Sequence, residues 1–256
     1  MPPIRRAITV VRVLGGALIA WFLVGRRKGG SDSRADLSRR MRHGAETLGP
    51  TYIKLGQIIS SGEGIFPTEL VQEFVACRDQ VPAEPFHLVR RVVESDLGAS
   101  LESVFATFER EPIAAASIAQ VHGATLHDGT PVVVKVQRPT VDDLVHKDLK
   151  VMAWLSPFLV GRIPVASLAN PPALVEVFAR TISEELDFRV EAANMIDVAA
   201  VFADLDQRQF VVPRPHPELV TRRVLVMERL DGFRFDDMER YAVSYTHLTL
   251  PTIAVV

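Results

Sequence analysis

The chain has 256 residues, of which 48% are hydrophobic and 23% are charged, and its formal net charge is −2. These values are ordinary for a globular protein, and the length allows one or two domains. The single cysteine, Cys77, excludes an intrachain disulfide and fits a reducing compartment. The seven histidines are scattered without the spacing of a metal cage, so we interpret them as structural or exposed.

Positive charge is concentrated at the N-terminus. Residues 1–50 carry ten Arg or Lys and three Asp or Glu, a balance of +7, so the remainder carries −9. Within this basic end, residues 7–24 form an apolar run that only Thr9 and Arg12 interrupt and that basic clusters flank. Such a segment is typical of membrane contact. Nucleic acid is a weaker alternative, because no aromatic residues alternate with the cations and no binding motif is present.

Three interpretations of this apolar run compete. A transmembrane helix would be at the lower limit of length, and Arg12 held centrally would cost about 2.5–3.5 kcal/mol. A secretory signal lacks a small-residue cleavage site before the basic cluster. An interfacial helix would place Arg12 and the flanking cations against anionic head groups. We therefore expect residues 1–28 to associate with the cytoplasmic face of a membrane, either peripherally or through a single span.

Two segments with different composition follow. Residues 29–42 are rich in Gly, Ser, Arg and Asp and are predicted to form a linker. Residues 43–107 are predicted to be helical, with Gly49-Pro50 as a start signal for one helix. On that helix Lys54 and Gln57 are three residues apart, so both polar groups share one face.

The next segment predicts a loop of small residues followed by a β-hairpin. The loop is Ala114-Ala115-Ala116-Ser117, the strands are 118–126 and 132–136, and Asp128-Gly129 is a strong turn signal. Lys135 lies in the second strand. Backbone N–H groups of such a loop can approach phosphates, and a lysine on the next strand supplies positive charge, so the pattern predicts a nucleotide site. Taken alone, the segment also fits an ordinary hairpin whose lysine has a buried stem.

Residues 172–205 are predicted to form one long helix, because neither glycine nor proline interrupts the stretch. Asp187 and Glu191 are four residues apart and are expected to share a face, whereas Glu185 points elsewhere. These acids can therefore serve different partners. Composition alone also fits a solvated acidic helix face.

Two further strands are predicted at 210–213 and 223–228, before a turn at 230–232. An adenine ring needs an apolar slot with backbone donors and acceptors at its edge. If the loop at 114–117 and Lys135 form a nucleotide site, Met227 is the candidate residue beside such a slot, and Glu228 to Leu230 are the candidate edge. An edge strand and turn without a ligand is the alternative.

Four of these segments together resemble one family, the UbiB/AarF-type atypical kinase-like proteins. They occur in the family's order, and the resemblance covers about residues 35 to 241. The segments are Thr51 to Gln57 for the KxGQ motif, Ala114 to His122 for the alanine-rich loop, Val133 to Pro139 for the lysine strand, and Glu185 to Ala192 for the ExD segment.

The resemblance implies an α+β fold with a helical N-terminal extension. Its core is a protein-kinase-like N-lobe, an antiparallel sheet plus a long helix, which we place at residues 108–241 with a helical insertion at 140–160. Protein kinases have glycine where this loop has alanine and serine, so the phosphate geometry should differ.

The resemblance also implies a nucleotide site. Lys135, oriented by Glu191, would contact the α- and β-phosphates of ATP or ADP, and Mg²⁺ would accompany the nucleotide. The loop from Ala114 to Ser117 would approach the phosphates, and Met227, Glu228 and Leu230 would border the adenine.

In the same family Glu185 and Asp187 would meet Lys54 and Gln57, because the extension packs over the core where a protein substrate would otherwise bind. The implied function is an ATPase or small-molecule kinase that supports isoprenoid-lipid or quinone biosynthesis at the membrane. Expected partners are a nucleotide, a membrane lipid or quinone precursor, and lipid-biosynthetic enzymes, with no nucleic acid. The alternative is a non-catalytic, nucleotide-binding scaffold for such enzymes.

Two kinase motifs do not occur in the sequence: an HxD-like catalytic loop with its downstream Asn, and Asp-Phe-Gly. We expect both, with the main Mg²⁺ ligands, in a C-lobe beyond this chain, which would then be catalytically incomplete. The end departs from the family pattern and resembles a translated sequencing adapter. We therefore expect Tyr241 or Ala242 to be about the last authentic residue and 242–256 to be a non-native tail.

Overall fold

A computed structural model of the chain describes residues 2–75, 82–160 and 170–232, which fall into two compact units. The helical unit comprises Met1–Pro82, Ala115–Ile118 and Arg138–Ser183, and the sheet unit comprises Ala83–Ala114, Ala119–Gln137 and Glu184–Val256. Cys77 and the predicted tail from residue 242 lie outside the described residues.

The helices, in chain order, are α1 (Ile4–Leu23), α2 (Gly30–Leu48), α3 (Pro50–Ser60), α4 (Thr68–Val75), α5 (Phe86–Leu97), α6 (Leu101–Val104), α7 (Val141–Leu159), α8 (Pro171–Glu185) and α9 (Phe188–Asp204), with a 3₁₀ turn at Gly25–Lys28. The strands are β1 (Phe105–Phe108), β2 (Ala114–Ala115), β3 (Ala119–Leu126), β4 (Pro131–Gln137), β5 (Pro215–Val220) and β6 (Val224–Glu228).

In the helical unit, α1 and α2 form an antiparallel pair. Near one end of the pair the indole Nε1 of Trp21 donates to the carbonyl oxygen of Ser33 at 3.0 Å. Near the middle, Gly44 lets the helices approach, since a Cβ at this position would lie 3.1 Å from a methyl carbon of Leu14. The two helices are therefore in contact along most of their length.

The helix with the predicted KxGQ segment, α3, begins with Pro50 in its first turn, as the start signal predicted. It buries Tyr52 and Ile53 and contacts α4. At Gly56 a Cβ would lie 2.3 Å from the ring of Phe74, so glycine is required for the two helices to pack this closely.

The sheet unit contains an antiparallel sheet with the strand order β1-β3-β4-β6-β5. The hairpin predicted between β3 and β4 is present, and Gly129 in its turn has a positive φ of 88°. This angle is unfavourable for residues with a Cβ, which explains the Asp-Gly signal. The antiparallel sheet with helices confirms the predicted α+β class.

One face of the sheet forms the core. Side chains alternate between faces along a strand. Every second residue of β4 and β6 therefore packs with the buried face of α5, and the set comprises Val132, Val134, Val136, Val224, Val226, Val89, Val92 and Val93. Lys135 projects from the opposite face.

The predicted linker at 29–42 is helical in the structure and belongs to α2. Its polar residues are held by specific contacts: Asp36 pairs with Arg40 one turn later at 2.7 Å, and Ser33 is buried beside Trp21. Composition favoured a linker, but packing against the apolar α1 selects the helix.

The predicted helix at 172–205 is interrupted, so the prediction of one long helix is wrong. Leu186 and Asp187 separate α8 from α9. Asp187 has extended backbone angles, φ −126° and ψ 95°, and caps α9 by accepting a hydrogen bond from the backbone N–H of Arg189. The argument that Asp187 and Glu191 share a helix face therefore fails, because Asp187 lies before the helix.

The strand predicted at 210–213 is also misplaced, since the strand beside β6 is β5. Its two prolines, Pro215 and Pro217, argued against a strand. They are tolerated because β5 is at the edge of the sheet, where a missing backbone donor breaks fewer hydrogen bonds.

The division of the chain also differs from the predicted segments. Helices α5 and α6 were predicted as part of the extension at 43–107, but they pack against the sheet. Conversely, α7 was predicted as an insertion in the N-lobe and belongs to the helical unit. Both assignments assumed that each unit is one continuous stretch of sequence. They fail because the chain passes between the two units several times.

Candidate functional site

The structure brings Lys135 and Glu191 together on the sheet face opposite the core. The Nζ of Lys135 donates to both carboxylate oxygens of Glu191, at 2.7 and 2.8 Å. It also lies 5.0 Å from the ring centroid of the buried Phe188. The lysine side chain is 25% exposed and that of Glu191 is 38% exposed, so solvent reaches the pair. The arrangement holds one oriented positive charge at an accessible surface.

The break between α8 and α9 positions Glu191. The side-chain amide of Gln137 donates to the carbonyl of Leu186 at 3.1 Å, and the N–H of Phe188 donates to the carbonyl of Arg222 at 3.0 Å. These bonds attach the start of α9 to the ends of β4 and β6. Glu191, in the first turn of α9, is thereby held in reach of Lys135.

The acids of the predicted ExD segment have different local surroundings. Glu185 is the last residue of α8. The carboxylate of Asp187 accepts hydrogen bonds from the Arg189 guanidinium at 2.6 and 2.9 Å, and these bonds lower the pKa of Asp187. Both acids are in the sheet unit, while Lys54 and Gln57 are in α3 of the helical unit. The predicted contacts of the two pairs remain a prediction.

The alanine-rich loop is held by a residue that the sequence analysis missed. Arg138 is only 7% exposed; its Nε donates to the carbonyl of Ala116 at 2.9 Å, and its Nη2 donates to the carbonyl of Pro82 at 2.9 Å. Ser117 is buried, and Ala114 and Ala115 form β2. The available signal was a second cation three residues after Lys135, directly before a proline.

A chain of buried polar groups on the core side of the sheet was also missed. The backbone N–H of Glu84 donates to Gln120 Oε1, the Gln120 amide nitrogen lies 2.8 Å from His122 Nε2, and His122 Nδ1 lies 2.8 Å from the carbonyl of Glu109. An amide nitrogen can only donate, so the imidazole proton belongs on Nδ1. Burial lowers the pKa of His122, so the ring is neutral at neutral pH. Its role is structural, as predicted for the histidines.

The predicted adenine edge lies at the end of β6. Met227 is 5% exposed and pairs with Val133 in the register, and the N–H of Glu228 donates to the carbonyl of Arg214 at 2.8 Å. Leu230 follows the strand and is half-buried. The register therefore places Met227 and Glu228 beside β4, the strand with Lys135, and Leu230 two residues beyond the end of β6.

A surface ion pair lies close to this edge. Arg229 contacts the carboxylate of Glu109 at 3.1 Å. The same carboxylate fills the space above Gly123, where a Cβ would come within 2.4 Å of its oxygen. Gly123 is in the register row of Val133 and Met227, so the pair borders the predicted adenine slot.

In the helical unit, one buried carboxylate joins three helices. Asp148 of α7 has no solvent exposure and accepts hydrogen bonds from Arg6 of α1 at 2.5 and 2.9 Å and from the Thr51 hydroxyl of α3 at 2.7 Å. Arg6 also donates to the carbonyl of Leu48 at 2.6 Å. In the sequence, Arg6 is one of the cations that directly precede the apolar run at 7–24.

The apolar N-terminal helix is long enough to cross a membrane by length and composition. The segment Ile4–Arg27 has 24 residues and a mean hydropathy of 2.1. In the structure only 11% of its most apolar 18 residues are buried. Most of its apolar surface is therefore exposed.

We also searched the described residues for side chains that could hold a metal ion. Within residues 2–75, 82–160 and 170–232, no group of three or more His, Cys, Asp or Glu side chains has the arrangement to hold a metal ion. The expected ligands of Mg²⁺ remain a prediction.

Comparisons with known proteins identify a family model and several similar proteins. The family model described as "ABC1 atypical kinase-like domain" matches residues 76–253. The protein named "Probable protein kinase UbiB" from Pseudomonas paraeruginosa is 39% identical over 236 residues, which are 90% of this chain and 42% of that protein. A protein of the same name from Shewanella piezotolerans is 36% identical over 212 residues, 82% of this chain and 38% of that protein.

A solved structure is also similar. It is the structure of Rv3197 from Mycobacterium tuberculosis in complex with erythromycin. The match has a TM-score of 0.50 and 32% sequence identity, and it covers 62% of this chain and 39% of that chain. The present chain spans about 42% of the length of the Pseudomonas relative.

Proposed function

Because the chain belongs to the family of ABC1 atypical kinase-like domains, we propose that it is an ATP-binding, kinase-like protein that acts in ubiquinone biosynthesis at a membrane. The resemblance inferred from the four motifs is thereby correct at the level of the family. The relatives' shared name supports the link to a ubiquinone pathway, and it does not favour the alternative of a non-catalytic scaffold.

The observation that carries the proposal is the contact between Lys135 and Glu191. A lysine that donates to both oxygens of one carboxylate has a defined position. Placed on an accessible sheet face, the ammonium can contact phosphate oxygens while Glu191 orients it.

The remaining residues would complete a nucleotide site. The backbone of Ala114 to Ser117, fixed in part by Arg138, would approach the phosphates, and Met227 with Glu228 to Leu230 would border the adenine. ATP, when bound, supplies a transferable phosphoryl group, and Mg²⁺ would offset its negative charge. In this chain, the residues named here bind and orient the nucleotide.

The helical unit supports the membrane part of the proposal. Its first helix exposes a long apolar surface. We propose that this surface brings the protein to the membrane, where a lipid or quinone precursor and lipid-biosynthetic enzymes are its partners. We also propose that Glu185 and Asp187 engage Lys54 and Gln57, and that this pairing regulates access to the nucleotide site.

The decisive experiment measures nucleotide binding to the full chain by titration calorimetry with ATP and with ADP, each with Mg²⁺. Replacing Lys135 by Met removes a charge-assisted hydrogen-bond donor that contributes about 1.5–3 kcal/mol, so Lys135→Met should bind about tenfold to a hundredfold more weakly.

The matched control is Lys150→Met, which removes an exposed lysine of α7 in the helical unit. Its affinity should equal that of the wild type. Equal affinity of Lys135→Met and wild type, with both proteins folded, contradicts the proposed nucleotide site.

A further inference from the structure

The first helix has two different sides. The side towards the protein includes the buried residues Ala7 and Val10. The other side exposes large apolar side chains, between 46% and 74% of each: Ile4, Ile8, Val11, Leu18, Ile19, Phe22 and Leu23. One side of the helix is therefore packed against the protein, and the other is the side that is available to lipid.

The inner side of α1 is attached at both ends. At the N-terminal end Arg6 contacts the buried Asp148 of α7 and the carbonyl of Leu48 at the end of α2. At the C-terminal end Trp21 donates to Ser33 at the start of α2. If α1 left both α2 and α7, the carboxylate of Asp148 would lose its cation while still buried, which is strongly unfavourable.

The attached helix α2 is too polar to enter a bilayer. It carries four arginines, of which Arg34 pairs with Glu69, Arg39 and Arg42 with Glu73, and Arg40 with Asp36. An α1 that crossed the membrane with α2 attached would take these charges into the hydrocarbon. Spanning therefore requires either the loss of the α1–α2 contact or the burial of many charges.

We propose that α1 lies in the plane of the membrane surface, docked on α2, with its exposed apolar side inserted among lipids that carry anionic head groups. This inference rests on the membrane part of the proposed function and selects the interfacial helix over the single span.

The charges near the apolar side argue for anionic lipid as the occupant. Arg5 and Arg12 are exposed and seven residues apart, so they lie on one line along the helix next to the apolar stripe. Arg26 and Arg27 are exposed beyond its end, and the Arg26 guanidinium lies 5.1 Å from the ring centroid of Phe22. These cations match anionic head groups, whereas in a second copy of the chain they would face other cations.

The first test measures binding of the full chain to phosphatidylcholine vesicles with and without phosphatidylglycerol, by flotation. The double variant Ile8→Asn/Phe22→Asn should bind the anionic vesicles at least about tenfold more weakly, because it makes the inserted side polar. Val177→Asn, which changes a 64% exposed residue of α8, should bind like the wild type. Equal losses in the two variants, or a stable dimer that does not bind vesicles, would overturn the proposal.

The second test concerns charge. Arg5→Gln/Arg12→Gln should weaken binding to the anionic vesicles several-fold and leave binding to pure phosphatidylcholine vesicles unchanged. Arg110→Gln/Arg208→Gln removes the same charge from exposed positions of the sheet unit and should have no effect. No difference between the two double variants would contradict a role for the α1 cations.

The third test separates a docked helix from a spanning one. In a Cys77→Ser background, a fluorophore is attached at Ile4→Cys, Val11→Cys or Leu18→Cys, and its depth is measured with lipids that carry quenchers at known positions. A helix in the plane gives three similar, shallow depths. A spanning helix gives a deep fluorophore at position 18 and a shallow one at position 4, which would refute the inference.

Nucleotide titration of the same vesicle samples keeps the two proposals apart. The Ile8→Asn/Phe22→Asn variant should bind nucleotide like the wild type. If the wild type binds vesicles but not nucleotide, this inference stands and the proposed nucleotide site is wrong. If it binds nucleotide but not vesicles, the nucleotide site stands and this inference is wrong.

Discussion

At the scale of single residues, the contact between Lys135 and Glu191 fixes the position of the lysine ammonium more than it stabilises the fold. Both side chains are partly exposed, at 25% and 38%. Pairs of this kind contribute about 0–1 kcal/mol to folding. Two hydrogen bonds and the ring of Phe188 leave the ammonium few alternative positions, which is what the proposed nucleotide site requires.

A second ion pair at this scale, between Asp96 and Arg223, is more deeply placed and should stabilise the sheet unit. Asp96 accepts hydrogen bonds from the Arg223 Nε and the Thr221 hydroxyl, both at 2.8 Å, and is 12% exposed. Burial opposes its ionisation, but the hydrogen bonds outweigh burial and lower the pKa of Asp96.

We predict that Asp96→Asn lowers the free energy of unfolding by about 2 kcal/mol at neutral pH, since a partly buried cation loses its partner. The folded-state pKa is below the unfolded one, so the wild-type advantage exists above the ordinary pKa of aspartate and is lost as the pH falls through the folded value. Urea unfolding of the wild type and of Asp96→Asn at several pH values measures the difference in their free energies of unfolding. A difference that grows towards acid pH would contradict the assignment.

At the scale of elements, the close packing of α3 and α4 depends on Gly56. Glycine in a helix is normally destabilising by about 0.5–1 kcal/mol relative to alanine. Here an added Cβ would lie 2.3 and 2.6 Å from ring carbons of Phe74, which is itself only 5% exposed and cannot move freely. The glycine of the predicted KxGQ segment therefore has a packing role of its own.

We predict that Gly56→Ala destabilises the protein by about 1–3 kcal/mol, because overpacking outweighs the gain in helix propensity. Gly16→Ala is the matched control: Gly16 is also within a helix, but no atom outside its own helix lies within 4 Å of its Cβ position. This control should be neutral or stabilising. Thermal unfolding followed by circular dichroism compares the two variants, and a stabilised Gly56→Ala would disprove the packing argument.

At the scale of the whole molecule, the chain forms two units with different stabilising interactions. The sheet unit is held by an aliphatic core of mostly valine side chains. The helical unit includes a buried polar centre, in which Asp148 links α1, α3 and α7. Loss of a single side chain from this centre should therefore affect one unit more than the other.

We predict that Arg6→Ala raises amide hydrogen exchange in α1, α3 and α7 and leaves exchange in β3, β4 and β6 close to that of the wild type. The variant leaves a buried carboxylate without its cation, a loss of about 3–5 kcal/mol. Arg5→Ala, one residue away and exposed, is the control and should change neither unit. Equal increases in both units would show that the chain opens as one cooperative body.

The sequence by itself was sufficient for the family, the fold class, the hairpin with Lys135, and the start of α3. These features depend on local signals: turn residues, strand composition, a helix-start proline and short motifs, each of which acts over a few residues. Where such signals were absent or ambiguous, as in 29–42 and 210–213, local composition predicted the wrong element.

Only the tertiary structure determined the break at Leu186-Asp187, the edge strand with two prolines, the role of Arg138, and the linkage of Arg6 to Asp148. Each depends on contacts outside its own segment. The break depends on Gln137 and Arg222, the edge strand on pairing with β6, Arg138 on Ala116, and Arg6 on a carboxylate 142 residues away. A pattern along the chain contains no information on such partners, because folding brings them together in space.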